Sequence, residues 1–130
     1  MPLIARVILE TAAALIALGG LYDLFAPRLA PNLAAICGGK EDVQKLVREL
    51  LRALGGALAA IGVTVAVVVA NTSGNPTSPL TLVLVLLLVL PSEGINAYCM
   101  YRVNSPYYFP LAFVLLTLLG VILAWPRLSH

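Results

Sequence analysis

The chain is 130 residues long, the size of one domain. Hydrophobic residues make up 61% of it and charged residues 11%, against roughly 45 to 50% and about 25% in soluble domains, so a free-standing water-soluble domain is excluded. A net charge of +2 spread along the chain offers no clustered basic face, so nucleic acid is excluded as a partner too.

The first apolar stretch runs from Leu3 to Phe25 and is ended by Pro27. Crossing about 30 Å of hydrocarbon takes roughly 20 helical residues, which this stretch supplies. It exceeds the roughly 7 to 15 residues of a signal-peptide core and carries Glu10 inside it, so it is expected to be a span rather than a secretory signal. Next comes a long connection, Ala26 to Leu51. From Lys40 onward it places Val43, Leu46, Val47, Leu50, Leu51 and Leu54 at the three-and-four spacing of an amphipathic helix. The expectation is one long helix, starting after a hinge at Gly38-Gly39 and running directly into a second span over 52–70.

The run Asn71 to Thr77 is rich in turn residues, and its shortness makes the second and third spans antiparallel neighbours. Ser78-Pro79 reads as an N-cap followed by proline at the first helical position. The third span is therefore expected over 79–102, with a proline kink at Pro91. A fourth is expected over 106–125, between the Pro106 to Pro110 region and Trp125-Pro126. The fold class that follows is all-α: an integral membrane four-helix bundle with an amphipathic extension leading into its second helix.

Arg28, Lys40, Lys45, Arg48, Arg52 and Arg102 fall on one side of such a bundle, Arg6 and Arg127 on the other. The excess of basic residues puts the loops in the cytoplasm and both termini opposite, in the endoplasmic reticulum if the cell is eukaryotic. Asn71-Thr72-Ser73 is a glycosylation sequon on that opposite side, although so short a motif also occurs by chance. Tyr22, Phe25, Tyr107, Tyr108 and Phe109 would form an aromatic belt at the cytoplasmic interface, and Trp125 at the other. Cys37 and Cys99 lack metal or disulfide spacing and are expected to be buried fillers. Neither a metal nor a cofactor is expected.

In lipid, helices associate by close packing of small residues. Ala13, Ala17 and Gly20 in the first span face Gly55, Ala59, Gly62 and Ala66 in the second as candidate stripes. They serve either to join these two spans centrally or to make a homodimer.

An ionisable side chain at membrane depth costs about 2.5 to more than 10 kcal/mol, so each should face inward and have a partner. By a rise of about 1.5 Å per residue, Asp23, Glu49, Arg52 and Glu93 can meet at one level near the cytoplasmic ends of their helices. Glu10 stands apart on the first span. Glu93, Asn96 and Met100 share one helix face, and a cavity opened by Pro91 would be lined by Pro91, Ser92, Glu93 and Asn96. Two carboxyls around a guanidinium in an apolar pocket can act as acid and base. Glu93, Arg52, Asp23, Glu10 and Glu49 are the candidate catalytic residues, and Asn96, Ser92, Tyr98, Tyr22 and Met100 the candidate contacts to a lipophilic substrate. The plainer reading is that Arg52 snorkels to headgroups while Glu49 and Lys45 are solvated partners on its helix, with Glu10 and Glu93 bonded structurally.

The run Gly20-Leu21-Tyr22 to Pro27, followed by Arg52-Ala53-Leu54-Gly55-Gly56, resembles an uncharacterised family of small four-span membrane proteins over about the first half of the chain. In size and in carboxylates set in apolar helices, the chain is also similar to small membrane-embedded epoxide hydrolases and cyclases of fungal polyketide and terpenoid pathways. That resemblance implies a membrane enzyme that opens or cyclises an epoxide, or isomerises an olefin, on a lipophilic molecule. The alternatives are a small-molecule or proton-coupled transporter working as a dimer, with Glu10 as its exchanging carboxyl, or a non-catalytic scaffold subunit.

Overall fold

The computed structural model describes residues 2–26, 31–71, 78–103 and 107–125. The turn run from Thr72 to Thr77, with the sequon's Thr72 and Ser73, lies outside the described residues, as do Pro27, Arg28, Pro106, Pro126, Arg127 and His130. The described chain is all-helical, in five α-helices: α1 (Leu3–Phe25), α2 (Pro31–Ile36), α3 (Glu41–Asn71), α4 (Pro79–Arg102) and α5 (Tyr108–Ala124). Three of them, α1, α3 and α4, are long and apolar enough to cross a membrane; α5, at 17 residues, is shorter.

Local chemistry sets most of these boundaries. Ser78 accepts a hydrogen bond from the Leu80 amide at 3.3 Å, with Pro79 in the first turn, so α4 starts at the expected cap. Gly38 and Gly39 both take the left-handed backbone, φ 65° and 75°, which few other residues adopt without strain. They separate α2, which the periodicity of the connection did not indicate, from α3. The expected extension and second span are continuous in α3, whose 31 residues reach about 46 Å. About a third of that length exceeds the hydrocarbon thickness, which suits the amphipathic character of its first turns.

Helices α1 and α3 run antiparallel at backbone contact. A Cβ at Gly55 would lie 2.5 Å from the Gly20 carbonyl oxygen and 2.6 Å from the Leu24 amide, and one at Gly62 would lie 2.5 Å from the Ala17 amide. Only glycine fits, so the small-residue stripe is used up inside the chain rather than left free for a second copy. Helix α5 packs antiparallel against α1 through Gly120, where a Cβ would strike the Leu9 side chain. It also packs on α4, which touches α3 only lightly.

The core lies at one end of this arrangement. Ala5, Leu9, Ala13 and Ile16 of α1 meet Val65 and Val69 of α3, Leu82, Val85 and Val89 of α4, and Val121 and Ala124 of α5. This end joins the start of α1 and α4 to the finish of α3 and α5. At the opposite end a cavity opens between α1, α3, α4 and α5.

Candidate functional site

The cavity has a volume of about 800 Å³, within the range of small-molecule pockets. Each long helix contributes one face. From α1 come Leu15, Gly19, Tyr22 and Asp23; from α3, Val47, Arg48, Leu51, Leu54 and Leu58; from α4, Glu93, Asn96, Cys99 and Met100; from α5, Phe109, Pro110 and Phe113. Leu33 of α2 adds an apolar wall. Tyr22 and Phe109 are 74% and 68% exposed while lining it, so the chamber reaches the surface beside them.

Glu93 occupies the floor. The buried stripe of α4 runs Leu82, Val85, Val89, Glu93, Ala97, so the carboxylate takes the place where this helix turns from packed core to chamber wall. It is 1% exposed and its Oε2 has no hydrogen-bond partner. The Asn96 side chain, one turn on, interacts with the carboxyl, and Asp23 of α1 is close enough for the two acids to influence each other. A buried carboxyl oxygen left unbonded costs about 1–3 kcal/mol, more if charged. Such a group is unexplained by the fold and is open to a ligand.

Asp23 is placed by the glycine contact itself. Its Cβ would lie 2.8 Å from a Cβ built on Gly55, so the α1–α3 approach sets the carboxyl at the level of Gly55 on the chamber's side wall. Arg48 enters from α3, seven residues earlier, half-buried, with its Nε shielded and without a partner.

The expected convergence of four charged groups is therefore corrected in part. Asp23 and Glu93 share the chamber, but Glu49 and Arg52 do not line it. Arg52 Nη1 donates to Glu49 Oε1 at 2.7 Å with both side chains substantially exposed, 40% and 54%, the only ion pair among the described residues. Chamber-lining positions on α3 centre on Val47, Leu51, Leu54 and Leu58. At about 100° per residue Arg48 sits at the edge of that face, and Arg52 lies about 40° further round, toward the outside. Arg48 is thus the guanidinium that sequence reasoning missed, and the angular position of Lys45, Glu49 and Arg52 on the opposite side was the signal that could have found it.

Among the expected substrate contacts, Asn96, Met100 and Tyr22 line the chamber. Ser92 does not: its hydroxyl donates to the Leu88 and Val89 carbonyls, at 2.6 and 3.1 Å, and is occupied by its own helix. The exposed Pro91 does not line the chamber either, and α4 is continuous through it. Tyr98 points outward, 60% exposed, because it lies nearly half a turn from Glu93 on the wheel. Glu10 is half-buried but far down α1, outside the chamber. Cys37 is buried as expected, whereas Cys99 is exposed and lines the chamber, which corrects its reading as a core filler.

Fold and site together define a class: an all-helical chain whose apolar helices fit a multi-pass place in a lipid bilayer, with a chamber between them that carries acidic groups. Compared with known proteins, the chain matches no family model, no curated protein and no solved structure.

Proposed function

We propose that this is a multi-pass membrane enzyme whose four long helices form a bundle, and that it opens or cyclises an epoxide, or isomerises an olefin, on a lipophilic polyketide- or terpenoid-like molecule. The observation that carries the reading is the buried, half-unbonded carboxyl of Glu93 at the floor of an otherwise apolar chamber that Asp23 shares. Most buried polar atoms in a finished core have a hydrogen-bond partner, and the Glu93 oxygen without one is open to a ligand.

The two acids divide the work. In an apolar enclosure a neutral acid costs less than its anion, so the more deeply buried group, Glu93, is the donor. Its proton passes to the epoxide oxygen as the C–O bond breaks. Asp23, nearer the open side, takes a proton from the water that forms the new C–O bond, giving a diol; in a cyclisation an internal hydroxyl replaces the water. Solvent returns the proton from Asp23 to Glu93 and closes the cycle. Asn96 orients Glu93, while Tyr22 and Met100 shape the wall. The basic residues gather at the chamber end, which supports placing it toward the cytoplasm with both termini opposite.

The test is direct. Purified protein in detergent is incubated with a panel of lipophilic epoxides and olefins, and products are separated by chromatography and followed by mass. Wild type is expected to add one water or to isomerise at constant mass, and Glu93→Gln to lose at least about a hundredfold in rate. Glu10→Gln should behave as wild type. Full turnover in a folded Glu93→Gln variant removes the assignment, and no conversion by wild type removes the reaction class.

A further inference from the structure

The catalytic reading uses Asp23 and Glu93 but leaves Arg48 without a role. Its position is unlike that of the other basic residues of α3. Lys45 is exposed and Arg52 is paired to Glu49 on the outer face. Arg48 lines the chamber, half-buried, and its shielded Nε donates to no protein atom. No carboxylate is ion-paired to it, the Glu49–Arg52 pair being the only one among the described residues. A guanidinium presents its N–H groups in a rigid fork that matches a carboxylate or phosphate. Around it the wall is apolar: Val47, Leu51 and Leu54 from its own helix, and Leu33 from α2.

We propose, building on the catalytic reading, that Arg48 receives the anionic head of a single-chain amphiphile whose tail lies in the chamber, so that the substrate class is a lipophilic carboxylate or phosphate rather than a neutral hydrocarbon. The spacing fixes where its reactive group lies. Asp23 sits at the level of Gly55, seven residues beyond Arg48, which is about 10 Å along the helix axis. The epoxide or olefin then stands about 10 Å from the head, between Asp23 and Glu93. A charged head held at Arg48 sets the depth of the chain in the chamber, as a featureless apolar wall cannot.

Binding can be read apart from chemistry, because Cys99 is exposed on the chamber wall. Purified protein in uncharged detergent is alkylated with N-ethylmaleimide, and the rate at Cys99 is followed by peptide mass spectrometry as ligand is added. The probes are a saturated fatty carboxylate, its phosphate counterpart and its methyl ester, none of which can be turned over. Wild type is expected to be protected by a charged probe at about tenfold lower concentration than by the ester, the size of one charge-assisted hydrogen-bonded contact. Arg48→Gln should erase that difference while keeping protection by the ester, which also shows that the variant is folded. Arg52→Gln should preserve the difference.

Equal protection by charged and neutral probes in wild type overturns the proposal, as does an unchanged difference in Arg48→Gln. If Arg52→Gln erases the difference as fully as Arg48→Gln, an interfacial charge is responsible and the clamp is wrong. If phosphatidylglycerol in mixed micelles protects Cys99 as well as the fatty carboxylate does, Arg48 serves bilayer headgroups and the substrate assignment fails. Failure of Glu93→Gln to alter turnover removes the catalytic reading but leaves charged-probe protection intact, so the two ideas fail separately.

Discussion

The two ends of this molecule are built from similar apolar residues and do opposite things with them. At one end Leu9, Val69, Leu82, Val85 and Val89 are 0% exposed and fill the space between helices. At the other, Leu54, Leu58, Phe113 and Met100 border a chamber of about 800 Å³. The difference lies in what the backbones allow. Glycines let α1 and α3 touch along their length, and Gly120 lets α5 close on α1 at the packed end only. Helices α3 and α4 touch only lightly, and the charged residues Asp23, Arg48 and Glu93 line the chamber. Helix packing in lipid gains little from hydrophobic transfer, so contact itself is what stabilises the closed end.

Substitutions at the two ends should separate them. The largest effect is expected from Gly62→Leu, which forces a side chain into the Ala17 backbone and should destabilise by about 3 kcal/mol or more, read as loss of cooperative thermal unfolding in detergent. A folded variant with unchanged midpoint would mean that α1 and α3 do not need their close approach. Leu9→Ala, in the packed end, should cost about 2–4 kcal/mol through the cavity it leaves. Leu54→Ala should cost about 1 kcal/mol, since it only enlarges an existing space; equal costs at these two positions would erase the contrast between the ends.

Glu93→Leu should stabilise by about 1 kcal/mol while abolishing activity, because it removes a carboxyl oxygen that no protein group satisfies. Destabilisation there would show that Glu93 holds the helices together rather than serving a ligand. The smallest effect belongs to Arg52→Gln. Breaking a substantially exposed ion pair should change the unfolding free energy by less than about 1 kcal/mol, and a larger loss would restore Arg52 to a structural place near the chamber.

Much was legible from local pattern. The bounds of α1 and α4, the Ser78 cap and the Gly38-Gly39 break follow from residues within a few positions of the feature, where backbone preference is decided. The small residues of α1 and α3 marked a surface for close backbone packing, and the structure decided that it joins these two helices. Glu93, Asn96 and Met100 were correctly grouped because a helix repeats its faces every three or four residues. By contrast, the fourth apolar helix is shorter than its stretch of sequence suggested, beginning at Tyr108, and α2 carried too few residues to show a period.

Sequence alone determined where the apolar helices fall, how apolar each one is, and which residues share a face on each. Which of those faces turns inward was decided only by the tertiary structure. The apolar stripe of this amphipathic stretch is wider than the face that packs, so Val47 and Leu51 face the chamber while Leu46 and Leu50 on the same stripe are exposed. For the same reason the choice between Arg48 and Arg52, one turn apart on α3, fell to a rotation of about 40° that only the packing of α3 on α1 sets.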